Sequence, residues 1–244
     1  MGATTVSDSG PKFHPGWLSV FLQLMKLRVI VLLQITAVCA ILVHDLLSRH
    51  GLLEIERTWS DTGFTIIVTL IGGTLSAGGS NSINMWYDSD IDLLMTRTQK
   101  RPIPKGHISP VGALIFGIII SLSGSSVFFL LHWKAAFWSF FSVGFYVLIY
   151  SMWLKRRTPQ NIVIGGIAGA TPPLIGWAGA AGESLNNLNP FDLGSPIPWM
   201  LFALIFLWTP PHFWALALYR SGEYARAEVP MTVSYTHLRA HETL

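Results

Sequence analysis

Cysteine is almost missing from this chain: Cys39 is the single one among 244 residues, and it lies inside an apolar run. An internal disulfide is therefore excluded, and a cysteine-based zinc or iron–sulfur centre lacks the ligands it needs. Charge is scarce as well, at 12% of residues, against 51% hydrophobic residues that include ten Trp and fourteen Phe. So few charges fit a soluble domain poorly, and the composition places the chain among membrane proteins. No internal repeat of about 20 to 50 residues stands out. Nor does a basic stripe with interleaved aromatics, so the pI near 9.1 does not point to nucleic acid.

What is present is a series of long apolar runs. Six can span a bilayer: Val20 to Val43, Thr62 to Met85, Pro110 to Leu131, Ala135 to Leu154, Ile162 to Gly182 and Ile197 to Leu218. The expected fold is all-α, a polytopic membrane helical bundle. Gly72, Gly73, Gly78, Gly79, Gly165, Gly166, Gly169 and Ala170 are small residues that let membrane helices approach closely. Residues 1–16 are polar, contain Gly and Pro, and lack the pattern of a cleavable signal peptide; they read as a short disordered cytoplasmic arm.

Orientation follows from the basic residues. With a cytoplasmic amino terminus, one side receives twelve: Lys12, Lys26, Arg28, Arg97, Lys100, Arg101, Lys105, Lys155, Arg156, Arg157, Arg220 and Arg226. The other side receives three, Arg49, Arg57 and Lys134. His44, Asp45, His50, Glu54 and Glu56 fall in one loop on that second side and read as solvated. Trp133, Trp138, Trp153, Trp177 and Trp199 lie near span ends, where an interfacial belt accounts for them.

Carboxylates are sparse, yet Asp88, Asp90 and Asp92 crowd the end of the second run, and Arg97, Lys100, Arg101 and Lys105 follow at once. Ionisable groups at membrane depth are costly and mark a pathway or site. At four-residue spacing on a helix, Asn84, Asp88 and Asp92 advance by about 40° per step and share one face, while Asp90 points elsewhere. An amide and two carboxylates on one face offer the hard oxygen ligands that Mg²⁺ takes together with water and substrate phosphate. The cations that follow could hold the remainder of a diphosphate.

Two further loops carry candidates. Tyr150 to Asn161 contains Lys155 and Arg156, which are either a positive-inside anchor or part of a diphosphate cradle, arginine supplying forked donors. In the sixth run, Pro210 and Pro211 break the backbone ladder, a break that membranes tolerate beside a cavity. His212 could be a proton donor, an axial ligand to porphyrin iron, or a hydrogen-bonded interior histidine. Glu223 and Glu228 could bind a second metal or pair with Arg220 and Arg226.

These residues resemble the UbiA superfamily of intramembrane prenyltransferases, and within it the heme O synthase branch. Asn84, Asp88 and Asp92 match the superfamily signature Asn-x-x-x-Asp-x-x-x-Asp. Met95-x-Arg97-Thr98-x-x-Arg101-Pro102 is similar to the branch's continuation. So are Leu154-Lys155-Arg156-x-Thr158-Pro159-x-Asn161, Gly169-Ala170-x-Pro172-Pro173, and Trp208-Thr209-Pro210-Pro211-His212-Phe213-Trp214. The resemblance covers Val20 to Met231. Leu27 stands where the branch usually has Pro, and the superfamily's second aspartate-rich motif is not present in its usual form.

The resemblance implies transfer of a farnesyl group from farnesyl diphosphate to a vinyl group of heme b, giving heme O. By the same resemblance Asn84, Asp88 and Asp92 are catalytic and hold Mg²⁺. Arg97, Arg101, Lys105, Lys155 and Arg156 hold diphosphate, and His212 binds heme. Tyr150, Asn161, Arg220, Glu223 and Tyr224 are further substrate-binding candidates. Lipid bilayer, in the cell inner membrane, and a heme A synthase are the implied surroundings and partner. An aromatic acceptor such as a quinone precursor is the alternative within the superfamily. A cation or proton transporter with an intramembrane Asp relay is the alternative outside it, which the clustered Lys and Arg beside the acids disfavour.

The family continues beyond Met231, so about six of nine expected helices are present and residues 17–231 read as an incomplete transmembrane prenyltransferase domain. Residues 232–244 are polar, resemble a translated sequencing adapter, and read as a non-native tail in which His237 and His241 are not ligands.

Overall fold

The computed structural model describes residues 16–53, 55–96 and 98–219. Residues 1–15 of the expected arm and the whole of the expected tail, 232–244, lie outside them. Among the described residues every regular element is helical: α1 (Trp17–Met25), α2 (Leu27–Arg49), α3 (Trp59–Tyr87), α4 (Pro110–Val127), α5 (Trp133–Gly144), α6 (Asn161–Ala170), α7 (Pro172–Ala181) and α8 (Ile197–Tyr219). After Gly144, α5 continues as a π-helix, Phe145–Leu154. The chain is a multi-pass membrane protein. Among the described residues five stretches are long and apolar enough to cross a membrane: Leu27–Arg49, Trp59–Tyr87, Pro110–Leu130, Trp133–Leu154 and Asn161–Ala181. α8 occupies the sixth expected run and carries Pro210 and Pro211 within it.

Local chemistry sets the helix starts. Thr58 caps α3 in a reciprocal box with Asp61, and the Ser109 hydroxyl accepts from the Gly112 N–H just before Pro110 opens α4. Pro172 opens α7 and divides the expected fifth span into two helices. The first span departs furthest from expectation. It breaks at Lys26, whose φ of 55° is left-handed, so the spanning helix starts at Leu27 and runs past Val43 to Arg49.

That shift overturns one expectation. His44 and Asp45 are not solvated but lie inside α2, 2% and 0% exposed. Asp45 accepts from Arg57 Nε at 2.9 Å and from the Thr62 hydroxyl at 2.6 Å, and His44 Nδ1 lies 2.9 Å from its Oδ1. A buried carboxylate needs such partners, and these fasten α2 to the start of α3.

The same end of the bundle overturns the interfacial-belt account for two tryptophans. Trp177 and Trp138 are buried, and with the half-buried Trp199 they donate indole N–H bonds to the carbonyls of Leu193, Pro190 and Phe191 at 3.1, 3.0 and 3.2 Å. Lys134, also buried, donates to Asn187 Oδ1 and to the Asp192 carbonyl. The loop between α7 and α8 is thereby drawn onto a core of Phe128, Trp138, Leu174, Trp177 and Leu193.

At the opposite end, where α3 finishes, Val20, Leu24, Met85, Ile103 and Ala113 form a second core. It ties α1 and the loop after α3 to the ends of α3 and α4. Between the two cores α3 and α4 touch backbone to backbone. A Cβ on Gly79 would lie 2.6 Å from the Gly117 carbonyl oxygen, and one on Gly124 would run into the Ser76 backbone nitrogen. Small residues permit this approach, which dispersion and close packing then stabilise.

The glycine contact generates a stability prediction. Gly124→Ala forces α3 and α4 apart and is expected to cost about 1–3 kcal/mol, the range of overpacking in a dense core. Gly169→Ala, whose Cβ meets nothing within 4 Å, is expected to leave stability unchanged. Thermal unfolding of the two variants in detergent distinguishes them, and equal melting temperatures would contradict the packing account.

Candidate active site

Asn84 lies in the last turn of α3 and Asp88 ends that helix. The backbone nevertheless keeps its period for one more step. The Asp88 N–H donates to the Asn84 carbonyl at 3.0 Å and the Asp92 N–H to the Asp88 carbonyl at 2.9 Å, before a 3-10 turn at Ile91–Leu93. The common face expected of Asn84, Asp88 and Asp92 therefore survives the end of the helix. All three are buried, at 4%, 1% and 2% exposure, while Asp90 points outward as expected.

Each acid has its own cation. Asp88 Oδ2 accepts from Lys155 Nζ, and also from Asn84 Nδ2 at 3.0 Å. Asp92 takes Arg101 Nη1 on both oxygens, at 2.6 and 2.7 Å. Arg156 grips Asp90 with both terminal nitrogens at 2.8 and 2.7 Å, and its guanidinium lies 4.7 Å from the Tyr87 ring centre. The two basic loops and the acid motif are thus brought to one end of the bundle, and three of the five predicted diphosphate residues are joined to an acid there.

The π-helix sets the height of this second loop. Its widened turn closes with the Lys155 N–H on the Tyr150 carbonyl, five residues back, at 2.9 Å. Ser151 then sits where its hydroxyl accepts from Asn84 Nδ2 at 3.1 Å while donating to the Tyr146 carbonyl at 2.9 Å. Short π-helical segments inside α-helices recur at functional sites. Tyr146 and Tyr150 stack with ring centres 5.6 Å apart, and Gly165 leaves the space that the Tyr150 ring fills.

Burial governs the electrostatics. It pushes the Asp92 carboxyl above its usual range, against the pull of Arg101 and with Asp88 adding to the rise. Asp90 is held low by its hydrogen bond from Arg156. Lys26, at the break between α1 and α2, donates from Nζ to Asn84 Oδ1 at 3.2 Å. Burial lowers its pKa from the ordinary lysine value to about 7, with Arg101 and Lys155 lowering it further and Asp88 and Asp92 opposing. Sequence reasoning counted Lys26 only among the positive-inside residues. Its place directly before a helix break carries no local signal in the sequence.

The remaining candidates divide. Asn161 is buried, and its Nδ2 donates to the Thr158 carbonyl at 2.7 Å and the Lys155 carbonyl at 3.4 Å, so it shapes the basic loop from behind. Lys105 is exposed beyond Arg101. His212 is exposed on α8, which packs on α6 and α7, and its ring lies beside Trp208 and Phe213 rather than beside the acids. Arg97, Arg220, Glu223 and Tyr224 lie outside the described residues.

Among the described residues, no three His, Cys, Asp or Glu side chains gather into a metal cage. The donor set suits a different kind of cation. Asp88 Oδ1 is buried and has no hydrogen-bond partner among the described residues, although buried carboxylate oxygens normally have one. One free carboxylate oxygen, with a second carboxylate and an amide oxygen nearby, fits a hydrated hard ion that completes its shell with water and phosphate.

The UbiA prenyltransferase family model matches residues 51–242. The chain belongs to this family. It is 46% identical over 233 residues to the Protoheme IX farnesyltransferase of Methylorubrum extorquens, covering 95% of this chain and 66% of that one. Against the Protoheme IX farnesyltransferase of Acidiphilium cryptum the identity is 48% over 212 residues, covering 86% and 60%. Against Protoheme IX farnesyltransferase 2 of Mesorhizobium japonicum it is 43% over 230 residues, covering 93% and 66%. The chain spans somewhat less than two thirds of the length of these relatives. No solved structure matches it.

The pairing of acids and cations separates two neighbouring aspartates by experiment. Asp88→Ala leaves Lys155 half-buried without its carboxylate, and removing one partner of a buried pair costs about 3 kcal/mol. Asp90→Ala breaks a pair open to water and is expected to cost less than about 1 kcal/mol. Melting of both variants in detergent, with and without added salt, reads the difference; a larger loss for Asp90→Ala would reverse the assignment of the buried pair.

Proposed function

We propose that the chain carries the diphosphate-binding half of a heme O synthase, transferring farnesyl from farnesyl diphosphate to a vinyl group of heme b. The observation that supports this most is the buried face of Asn84, Asp88 and Asp92 in a chain of this family, ringed by Lys155, Arg101 and Arg156. The choice of heme b over a quinone precursor rests on the relatives at 43% to 48% identity, all named for that acceptor.

Asn84, Asp88 and Asp92 would hold Mg²⁺, which when bound supplies charge neutralisation and polarises the diphosphate as a leaving group. Arg97, Arg101, Lys105, Lys155 and Arg156 would bind the diphosphate oxygens. As the bond between farnesyl C1 and its bridging oxygen breaks, both electrons stay on diphosphate, and these fixed cations stabilise the charge that develops there. The vinyl π electrons form the new bond to C1. Water adds to the resulting cation on the heme side and releases one proton, leaving a hydroxyethylfarnesyl group.

Tyr146 and Tyr150, stacked beside the acids, present aromatic faces of the kind that stabilise a cation in a dry site. His212 and the stretch from Arg220 to Tyr224 are candidates for the heme side and for a second acidic site. We place the protein in the cell inner membrane, with the acid end and its basic loops on the cytoplasmic side by the positive-inside rule. A heme A synthase that takes up the product is the partner this reading implies.

The test joins residues 1–231 to the remaining carboxyl-terminal part of the Methylorubrum extorquens relative. Membranes carrying it are supplied with Mg²⁺, heme b and farnesyl diphosphate, and hemes are followed by chromatography. A more retained heme should appear, and Asp88→Ala should lower its rate at least about a hundredfold, the scale of losing a group that stabilises developing charge. Diphosphate release with 4-hydroxybenzoate but not with heme b would move the protein to the quinone branch.

A further inference from the structure

Among the described residues, Lys26 is a cation of the buried site with no acid of its own. Lys155 is paired with Asp88, Arg101 with Asp92 and Arg156 with Asp90, whereas the hydrogen bond of Lys26 is to the neutral amide oxygen of Asn84 at 3.2 Å. With Lys26 protonated, the buried part of the site carries Lys26, Lys155 and Arg101 against Asp88 and Asp92, a surplus of one positive charge. An ammonium kept partly buried without a counter-ion is costly, and such an arrangement persists where a ligand makes up the difference.

The backbone at Lys26 is unusual in the same sense. Among the described residues it is the one non-glycine residue with positive φ, at 55°. A lysine there gives up roughly 1–2 kcal/mol relative to its preferred regions. Such outliers persist where the surroundings over-determine them, often at functional sites. Here the surroundings are visible. The carbonyl of the preceding residue, Met25, accepts from Asn81 Nδ2 at 2.9 Å, and Met25 itself fills the space left by Gly78. Val20 and Leu24 anchor α1 in the core beside the acid loop. The break between α1 and α2 is therefore pinned to α3 from one side, and the left-handed turn directs Lys26 onto Asn84.

We propose that Lys26 is a further anion-binding residue of this site, its ammonium held over Asn84 until it takes a phosphate oxygen of the prenyl diphosphate. The inference rests on the diphosphate reading given above. In that reading Asn84 Oδ1 is wanted by a metal ion, so the arriving ligand both frees the ammonium from the amide and supplies its counter-charge.

The test measures binding to the full 244-residue chain in detergent at fixed, saturating Mg²⁺, with two probes: farnesyl thiolodiphosphate, which does not ionise readily, and inorganic pyrophosphate. Lys26→Met should weaken both probes about tenfold or more, the scale of one hydrogen bond between charged groups, while Lys26→Arg should weaken them less. Lys26→Gly, which suits the backbone, serves as the charge-free variant if Lys26→Met does not fold, and the same loss is expected of it. Unchanged binding in the charge-free variants, alongside a clear loss in Lys155→Met, would overturn the role of Lys26. A loss confined to the farnesyl probe would also overturn it, by showing a contact with the chain rather than the diphosphate. If the wild-type chain binds neither probe, the diphosphate reading itself falls and this inference with it.

Discussion

Everything at the acid end follows from the need to give the buried Asp88 side chain hydrogen-bond donors in a place where water is scarce. A carboxylate with 1% exposure survives only among donors, and the chain brings them from three separate stretches: Asn84 from its own helix, Lys155 from the loop after the π-helix, and Ser151 through Asn84. Those requirements fix the register of α3 against the fourth span. The π-helix then reads as a means of setting that register, because one widened turn lowers Ser151 and Lys155 onto the acids without moving the rest of α5.

The opposite end solves a similar problem with fewer charges. Asp45 is buried completely, but Arg57, Thr62 and His44 satisfy it within two neighbouring helices. Both oxygens of Asp45 are taken, whereas among the described residues Asp88 Oδ1 has no partner. Two buried aspartates in one bundle thus differ in whether an oxygen is left over for a ligand.

Much of this was legible in the sequence. Apolar runs gave the spans, since hydropathy needs no tertiary knowledge, and four-residue spacing gave the common face of Asn84, Asp88 and Asp92. Three things were not legible. The break at Lys26 was hidden because a left-handed lysine has no sequence signature, and missing it slid the first span toward the amino terminus and left His44 and Asp45 in water. The π-helix was hidden because its period differs from that of an α-helix by too little to show in ten residues. The tryptophans were misread because position near a span end does not distinguish an indole facing lipid from one turned inward to a carbonyl.

Those inward-turned indoles have a mechanical consequence. Three N–H groups and the Lys134 ammonium tie the loop between α7 and α8 over a dense aromatic core. An indole has one donor, and a donor spent on a carbonyl of its own chain is not available to a lipid headgroup. These three rings therefore fasten the bundle to its own loop rather than to the bilayer surface.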